Sequence, residues 1–474
     1  MLFNSLDFLL FFPIVCIVYY CLPTVKTRNY FLLIASYYFY MCWEPKYALL
    51  LLSSTLITYG AALGIDKYRK HRKVFLALSI VLNLSILFFF KYFNWAAGNI
   101  SHLMSLCGIW INVPEFKVLL PVGISFYIFQ ALGYTIDVYR EDVKTEKNFF
   151  VYALFVSFFP QLVAGPIERS TNLLKQFYVK HKFDADRAIS GIQLMLWGYF
   201  LKLVIADNFA VYVNSIYDNL GVHTGDDILL ASFLFCFQLY GDFAGYSFIA
   251  IGAARVMGFK LMDNFLRPYF FSSSIQEYWR RNHISLTTWF MDYIYYPMVG
   301  SSINIYWWCF SIFLTFFISG FWHGASWTYV ICFSIFGIYL VACILKEKSQ
   351  RRFEKKHGLR NKEWWIWVNR ALTFVLVMIA LVFFRANTIH DGFFVLYKMA
   401  TGLSLSIFNI ILENWFDMLI VFVLFVVEYI IEYKKTKYIE QHYLISSICI
   451  SLVLILSIFG LGEFGGAQFI YFQF

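Results

Sequence analysis

The chain has 474 residues, 60% of them hydrophobic and only 14% charged, where a soluble domain carries roughly 25% charged residues. That excludes an ordinary soluble enzyme and points to an all-α polytopic membrane protein, for which length does not translate into a domain count. The net charge of +9 gathers in loops, so it reports topology and anionic lipid, with no nucleic-acid partner expected.

Taken in order, the segment Met1–Pro23 lacks a basic start and a small-residue cleavage site. It reads as a retained membrane segment. Apolar runs of spanning or near-spanning length follow at 5–22, 28–43, 46–64, 74–94, 118–136, 149–165, 188–213, 228–256, 305–321, 326–345, 365–385, 415–433 and 444–461. About 11–13 transmembrane helices are predicted, with the short runs 28–43 and 149–165 tilted or re-entrant. The whole chain, 1–474, reads as one integral-membrane domain ending in an aromatic tail at 467–474.

Two basic loops orient the helices. Lys67-Tyr68-Arg69-Lys70-His71-Arg72-Lys73 is one; the other, Lys346 to Lys362, has eight Lys/Arg against Glu347 and Glu354. The positive-inside rule puts both in the cytoplasm, which makes the N-terminus and the C-terminal tail external. The nine cysteines are scattered, without a C-x-x-C pair. They read as buried packing residues, with no metal site and no disulfide framework.

Between Phe259 and Gly300 the pattern changes. Lys260, Asp263, Arg267, Glu277, Arg280, Arg281, His283 and Asp292 lie among many aromatics, too polar for a clean span and too aromatic for a free loop. Short amphipathic or re-entrant helices in the cytoplasmic half of the membrane are predicted there.

The stretch Ser319-Gly320-Phe321-Trp322-His323-Gly324-Ala325-Ser326-Trp327 interrupts two apolar runs with an ionisable residue. Such residues inside a membrane are functional candidates by default. Gly320 and Gly324 permit close approach of another chain or a substrate, and Trp322 supplies a flat wall. The plain structural reading is a neutral histidine packed at a helix end. Of the nine histidines, only His323 and His283 fall in segments expected to be embedded. On separate elements they could meet at one site, one as general base and the other orienting it or polarising a carbonyl. A second polar intrusion is Gln238-Leu239-Tyr240-Gly241-Asp242-Phe243-Ala244-Gly245-Tyr246-Ser247. Asp242 needs a partner there, and an arginine from 267–281 is the expected one. The chain carries no G-x-S-x-G, H-E-x-x-H, Walker or G-x-G-x-x-G motif, which weighs against serine hydrolases, zinc proteases, ATPases and dinucleotide enzymes. Nor are there paired half-repeats or rows of intramembrane charge, which weighs against a transporter.

In these motifs the sequence resembles the membrane-bound O-acyltransferase superfamily, in particular the branch with the membrane subunits of alginate and peptidoglycan O-acetylation and the teichoic-acid D-alanylation acyltransferase. The series runs along nearly the whole chain. It comprises Leu2-Phe3-Asn4-Ser5, Leu120-Pro121-Val122-Gly123-Ile124-Ser125-Phe126, Phe159-Pro160-Gln161-Leu162-Val163-Ala164-Gly165-Pro166-Ile167 and the Gln238–Tyr246 motif. Tyr278-Trp279-Arg280-Arg281-Asn282-His283, Gly320-Phe321-Trp322-His323-Gly324 and Phe384-Arg385-Ala386 complete it. Asn282 departs from the pattern, where many relatives carry a tryptophan.

The resemblance implies acyl transfer from a cytoplasmic thioester to an external hydroxyl, with helices ringing a central tunnel. It assigns the essential role to His323 and a second one to His283, and places Trp322, Gly324, Asp242, Tyr246, Gln238 and Pro166 along the tunnel. It implies acetyl-CoA as donor substrate, with no bound cofactor and with phosphates near Arg267, Arg280, Arg281 and Lys202. It also implies an extracytoplasmic SGNH-type transferase as partner, in the bacterial inner membrane. D-alanyl transfer from a carrier-protein phosphopantetheine is the alternative. The ending Phe469-Ile470-Tyr471-Phe472-Gln473-Phe474 reads as an interfacial anchor. It also resembles the aromatic C-terminus of the small membrane subunit in teichoic-acid D-alanylation, which implies that Tyr471 relays the acyl group.

Overall fold

The structure is a computed structural model that describes every residue except 111–112, 114–115, 117–119, 164, 267, 361, 435–443, 466–468 and 471–474. The described residues contain helices and no strand. They divide into two compact units. One is Met1–Met195 with Phe248–Met262, and the other is Leu196–Ser247 with the chain from Asp263 onward.

The first unit holds α1 (Leu6–Cys21), α2 (Val25–Met41), α3 (Ala48–Lys67), α4 (Arg72–Leu87), α5 (Phe93–Leu106), α6 (Ile124–Arg140), α7 (Phe149–Ser157), α8 (Phe159–Leu162) and α9 (Leu173–Gln176), and the start of α10 (Ala185–Tyr199). Ser5 caps α1 by accepting from the Phe8 N–H. The cap turns Phe3 and Phe8 into one aromatic cluster, with Phe3 4.9 Å from Phe8, and Phe39 6.1 Å from Phe8 and 5.6 Å from Phe159. Gly123 has φ +72, and a Cβ there would lie 2.5 Å from the Leu162 carbonyl oxygen. The Leu120–Phe126 and Phe159–Ile167 motifs are therefore in backbone contact, which only glycine permits. Arg28 ties three carbonyls together, those of Leu22, Tyr20 and His181 at 2.9, 3.2 and 2.6 Å. Glu168 accepts from the Met262 N–H and from Asn172, and burial pushes its carboxyl up to about 7.

The second unit holds the end of α10, α11 (Asp207–Tyr217), most of α12 (Gly225–Val256), α13 (Ile275–Arg281), α14 (Ile284–Phe290), α15 (Tyr296–Val299), α16 (Ile305–His323) and α17 (Trp327–Lys356). After these come α18 (Glu363–Arg385), α19 (Ile389–Thr401), α20 (Ile407–Glu413), α21 (Trp415–Lys434) and α22 (Leu444–Leu461). A seven-residue π-helical turn, Phe200–Ala206, joins α10 to α11. Gly241 and Gly245 on α12 make room for it. A Cβ on either would come within 2.7 Å of a backbone oxygen, of Leu201 and Gly198 respectively. This is the small-residue packing that lets two membrane helices touch backbone to backbone.

Seven helices among the described residues are long and apolar enough to cross a membrane, or eight if α20 and α21, bent by 83°, count as one. That is fewer than the 11–13 read from apolar runs. The runs 118–136 and 149–165 explain part of the difference. They overlap α6, α7 and α8, of 17, 9 and 4 residues, whose apolar side chains are mostly buried in protein. The cysteines also differ from expectation: Cys236, Cys309 and Cys332 are buried, but Cys21, Cys42, Cys107 and Cys449 are exposed.

Candidate active site

The stretch Phe259–Gly300 breaks into short helices, as its mixed polarity predicts, and the break places a histidine. α13 starts at Ser274, whose hydroxyl accepts from the Glu277 N–H, and stops after seven residues. His283 then takes φ +48, a left-handed conformation uncommon for a residue with a side chain, and α14 begins at the next residue. That single backbone reversal turns the imidazole inward, where it is 3% exposed.

His323 is the last residue of α16. Gly324 ends the helix in an extended conformation, and Ser326 caps α17 through the Thr328 N–H. The hairpin is tight: a Cβ on Gly320 would meet the Val330 Cα at 2.7 Å, and one on Gly324 would meet the Tyr329 ring at 2.3 Å. The two glycines of the motif therefore set the approach of α17, and α17 supplies Phe333. The Phe333 ring stacks on the His323 imidazole at 4.1 Å and 20°.

The two histidines, 40 positions apart in sequence, come together. Their ring centroids are 6.2 Å apart at 76°, and His323 is 3% exposed, like His283. Trp322 stands edge-on to both, 4.8 Å from His323 and 5.8 Å from His283. Phe384, from the Phe384-Arg385-Ala386 motif, lies 5.9 Å from His323, and Phe243 of α12 lies 4.4 Å from His283. Burial favours the neutral imidazole at His283, and neutral is the form a general base requires. At this spacing one hydroxyl-sized group can come within hydrogen-bond reach of both rings.

Asn264 orients His283, and sequence reading missed it. It is fully buried, and its Oδ1 accepts from the Ser285 N–H at 3.3 Å and the Ser285 hydroxyl at 2.8 Å. Its Nδ2 donates to the Ser247 hydroxyl at 3.0 Å. With the amide direction fixed by these bonds, the His283 Nδ1, 3.3 Å from Oδ1, must be the protonated nitrogen. His283 Nε2 is then the basic nitrogen. Asn264→Leu should remove that control and lower turnover per molecule of folded protein. His283→Gln should cut turnover by about 10²-fold, the low end for one acid–base group. Initial rates against donor concentration check both, and unchanged turnover and donor affinity in His283→Gln would make the residue structural.

The polar residues of α12 take partners other than those expected. Asp242 pairs with Lys202, not with Arg280 or Arg281: Lys202 Nζ lies 2.6 Å from Asp242 Oδ1 and 2.8 Å from Asp207 Oδ1. Lys202 is 1% exposed, so its charge serves these carboxylates, not a donor phosphate as expected. The cause is the π turn, which rolls Lys202 toward α12. Arg281 is also engaged. It pairs with Glu277 and, at 3.0 Å, with Glu432 of α21. Burial pushes the Glu277 carboxyl up, but the Ser273 N–H and hydroxyl and the Arg281 guanidinium outweigh it and hold the group below the usual carboxylate range. Of the expected donor-binding residues, Arg280 is exposed. Arg267 lies outside the described residues, as does Tyr471. Gln238 and Tyr246 are buried in α12, and Pro166 is buried in the first unit.

The tail is described as far as Ile470. Phe469 is fully buried, 4.3 Å from the Tyr246 ring, and the Ile470 N–H donates to Asp242 Oδ2 at 2.7 Å.

A family model for the membrane-bound O-acyltransferases matches residues 139–390. The probable alginate O-acetylase of Pseudomonas putida is 38% identical over 395 residues, 82% of this chain and 78% of that protein. The peptidoglycan O-acetyltransferase of Helicobacter pylori is 32% identical over 443 residues, 85% of this chain and 81% of that one. The teichoic acid D-alanyltransferase of Bacillus subtilis is 27% identical over 291 residues, 58% of this chain and 71% of the relative.

Proposed function

The chain belongs to the membrane-bound O-acyltransferase family, and from that premise we propose that this O-acyltransferase moves acetyl groups from cytoplasmic acetyl-CoA onto an extracytoplasmic polysaccharide. The observation that carries the reading is the buried pair His283–His323. The chemistry needs little else, because the donor is already activated. A neutral imidazole takes the proton of an incoming hydroxyl as its oxygen bonds to the thioester carbonyl carbon. The C–S bond then breaks, the thiolate leaves with the proton, and an O-ester remains. His323 is the base in this reading. His283, with Nδ1–H held by Asn264, is the group that aligns the hydroxyl or the donor.

Acetyl is favoured over D-alanyl by the relatives: those named for acetylation are the more similar and cover more of the chain. The acceptor is an alginate-like exopolysaccharide or peptidoglycan. An SGNH-type transferase outside the inner membrane completes delivery, with Tyr471 of the external tail as relay. Membranes containing the protein, given acetyl-labelled CoA and the glycan, should yield base-labile label on the glycan. Label that appears only from a D-alanylated carrier protein would reverse the donor assignment.

At the cytoplasmic mouth Arg280 and Arg281 part ways. Arg280→Ala should raise the apparent KM for acetyl-CoA, less so in high salt, since an exposed guanidinium acts on phosphate through a screened charge. Arg281→Ala should instead lower thermal stability, because it takes the cation from two partly buried carboxylates. Donor titrations and melting curves of the two proteins separate the effects. An unchanged KM in Arg280→Ala would assign that residue to lipid headgroups.

A further inference from the structure

An aspartate in a largely buried membrane-crossing helix calls for a reason, and Lys202 supplies only half of one. Asp242 divides its two oxygens. Oδ1 faces the Lys202 ammonium at 2.6 Å, and Oδ2 accepts from the backbone N–H of Ile470 at 2.7 Å. Lys202 also serves Asp207, so one cation stands between two carboxylates, and the Ile470 N–H is a further donor to Asp242. Upstream the same π turn secures the tail. The Glu463 N–H donates to the Leu203 carbonyl at 3.0 Å, and Asn208 Nδ2 donates to the Leu461 carbonyl at 2.9 Å. A π turn leaves backbone carbonyls out of the regular ladder, and such turns recur at functional sites.

Glu463 and Ile470 are thus held at two points. Between them Phe469 is fully buried, 4.3 Å from Tyr246 and 6.2 Å from Phe243. Phe243 is the ring that lies 4.4 Å from His283. The tail is thus one aromatic ring away from the histidine pair.

We infer that Asp242 is a positioning residue for acyl transfer: through the Ile470 N–H it fixes the register of the C-terminal tail beside the His283–His323 pair, with Lys202 orienting the carboxylate. The inference rests on the acyltransferase reading of that pair, but not on Tyr471 as relay. The competing account is that Asp242 only balances the charge of Lys202.

The test reads tail docking directly. In full-length protein with exposed Cys21, Cys42, Cys107 and Cys449 replaced by serine, Ile470→Cys places a thiol on the tail and keeps its N–H. Maleimide modification, followed by intact mass, should be slow. Adding Asp242→Leu should speed it about tenfold, the worth of one charge-assisted hydrogen bond. In parallel, Ile470→Pro on a Phe469→Cys reporter removes the N–H without touching Asp242 or Lys202, and should speed labelling of the thiol at 469. This arm decides the matter if Asp242→Leu does not fold. Activity should follow docking, with kcat falling in Asp242→Leu and the donor KM unchanged.

Unaltered labelling in Asp242→Leu or in the Ile470→Pro pair overturns the inference. Labelling needs no turnover, so its outcome stands whether or not the relay reading of Tyr471 survives.

Discussion

His323→Ala should abolish acyl transfer, by about 10²–10⁴-fold, in protein that reaches the membrane in normal amounts. The first half follows from the chemistry. A thioester supplies its own leaving group, and removal of the hydroxyl proton is the step that needs a base. Among the described residues the imidazoles brought together in the buried aromatic cluster are His323 and His283. The second half follows from the packing. His323 is the final residue of its helix, so shortening its side chain takes no hydrogen bond from the helix interior. The hairpin is set by Gly320 and Gly324 against α17, and the substitution leaves those contacts intact. The measurement is ester product per unit of membrane protein. Product near the wild-type level would reduce His323 to a stacking partner of Phe333. His323→Gln, which nearly fills the same space and has no basic nitrogen, should be as inactive as alanine.

The sequence showed the two histidines because each is an ionisable residue in an apolar context, and that contrast survives folding. It also showed the Gly-Phe-Trp-His-Gly frame, because glycine at a close approach leaves a mark that needs no partner to be recognised. What it hid was pairing. Asp242 was recognisable as a residue in need of a cation, but the cation came from a π-helical turn. A run such as Phe200-Leu201-Lys202-Leu203 gives no sign that its lysine faces a helix and not lipid. Asn264 was hidden for a similar reason. It lies in a non-helical stretch, and its importance comes from bonds to Ser247, Ser285 and His283, three positions with no shared periodicity. Which apolar runs face lipid was hidden for a different cause: hydropathy measures avoidance of water and cannot distinguish lipid from protein. The apolar residues of α6 and α7 are core, as their burial shows. Phe333 is lost among 55 phenylalanines until the Gly320 and Gly324 contacts bring α17 against His323.

Tyr471→Phe should stop glycan acetylation as completely as His323→Ala does, although it removes a single oxygen atom. The tail enters the second unit as far as Ile470 by three backbone-mediated bonds, and Phe469 packs within one ring of His283. An aromatic chain end that served only as an interfacial anchor would keep its rings at headgroup level. Phe469 is instead fully buried among protein side chains. A phenol at the next position has the chemistry for a relay. Its proton is more acidic than that of a sugar hydroxyl, so an imidazole can remove it as the oxygen bonds to the thioester carbon. The resulting aryl ester is more activated than a sugar ester and can pass its acetyl onward with the tyrosine as leaving group. Phenylalanine preserves the ring and the tail's backbone donors, so docking measured by the Ile470→Cys reporter should be unchanged while product vanishes. Product at the wild-type rate with the tail docked would mean that the tail shapes the site and that the acceptor hydroxyl meets His323 directly.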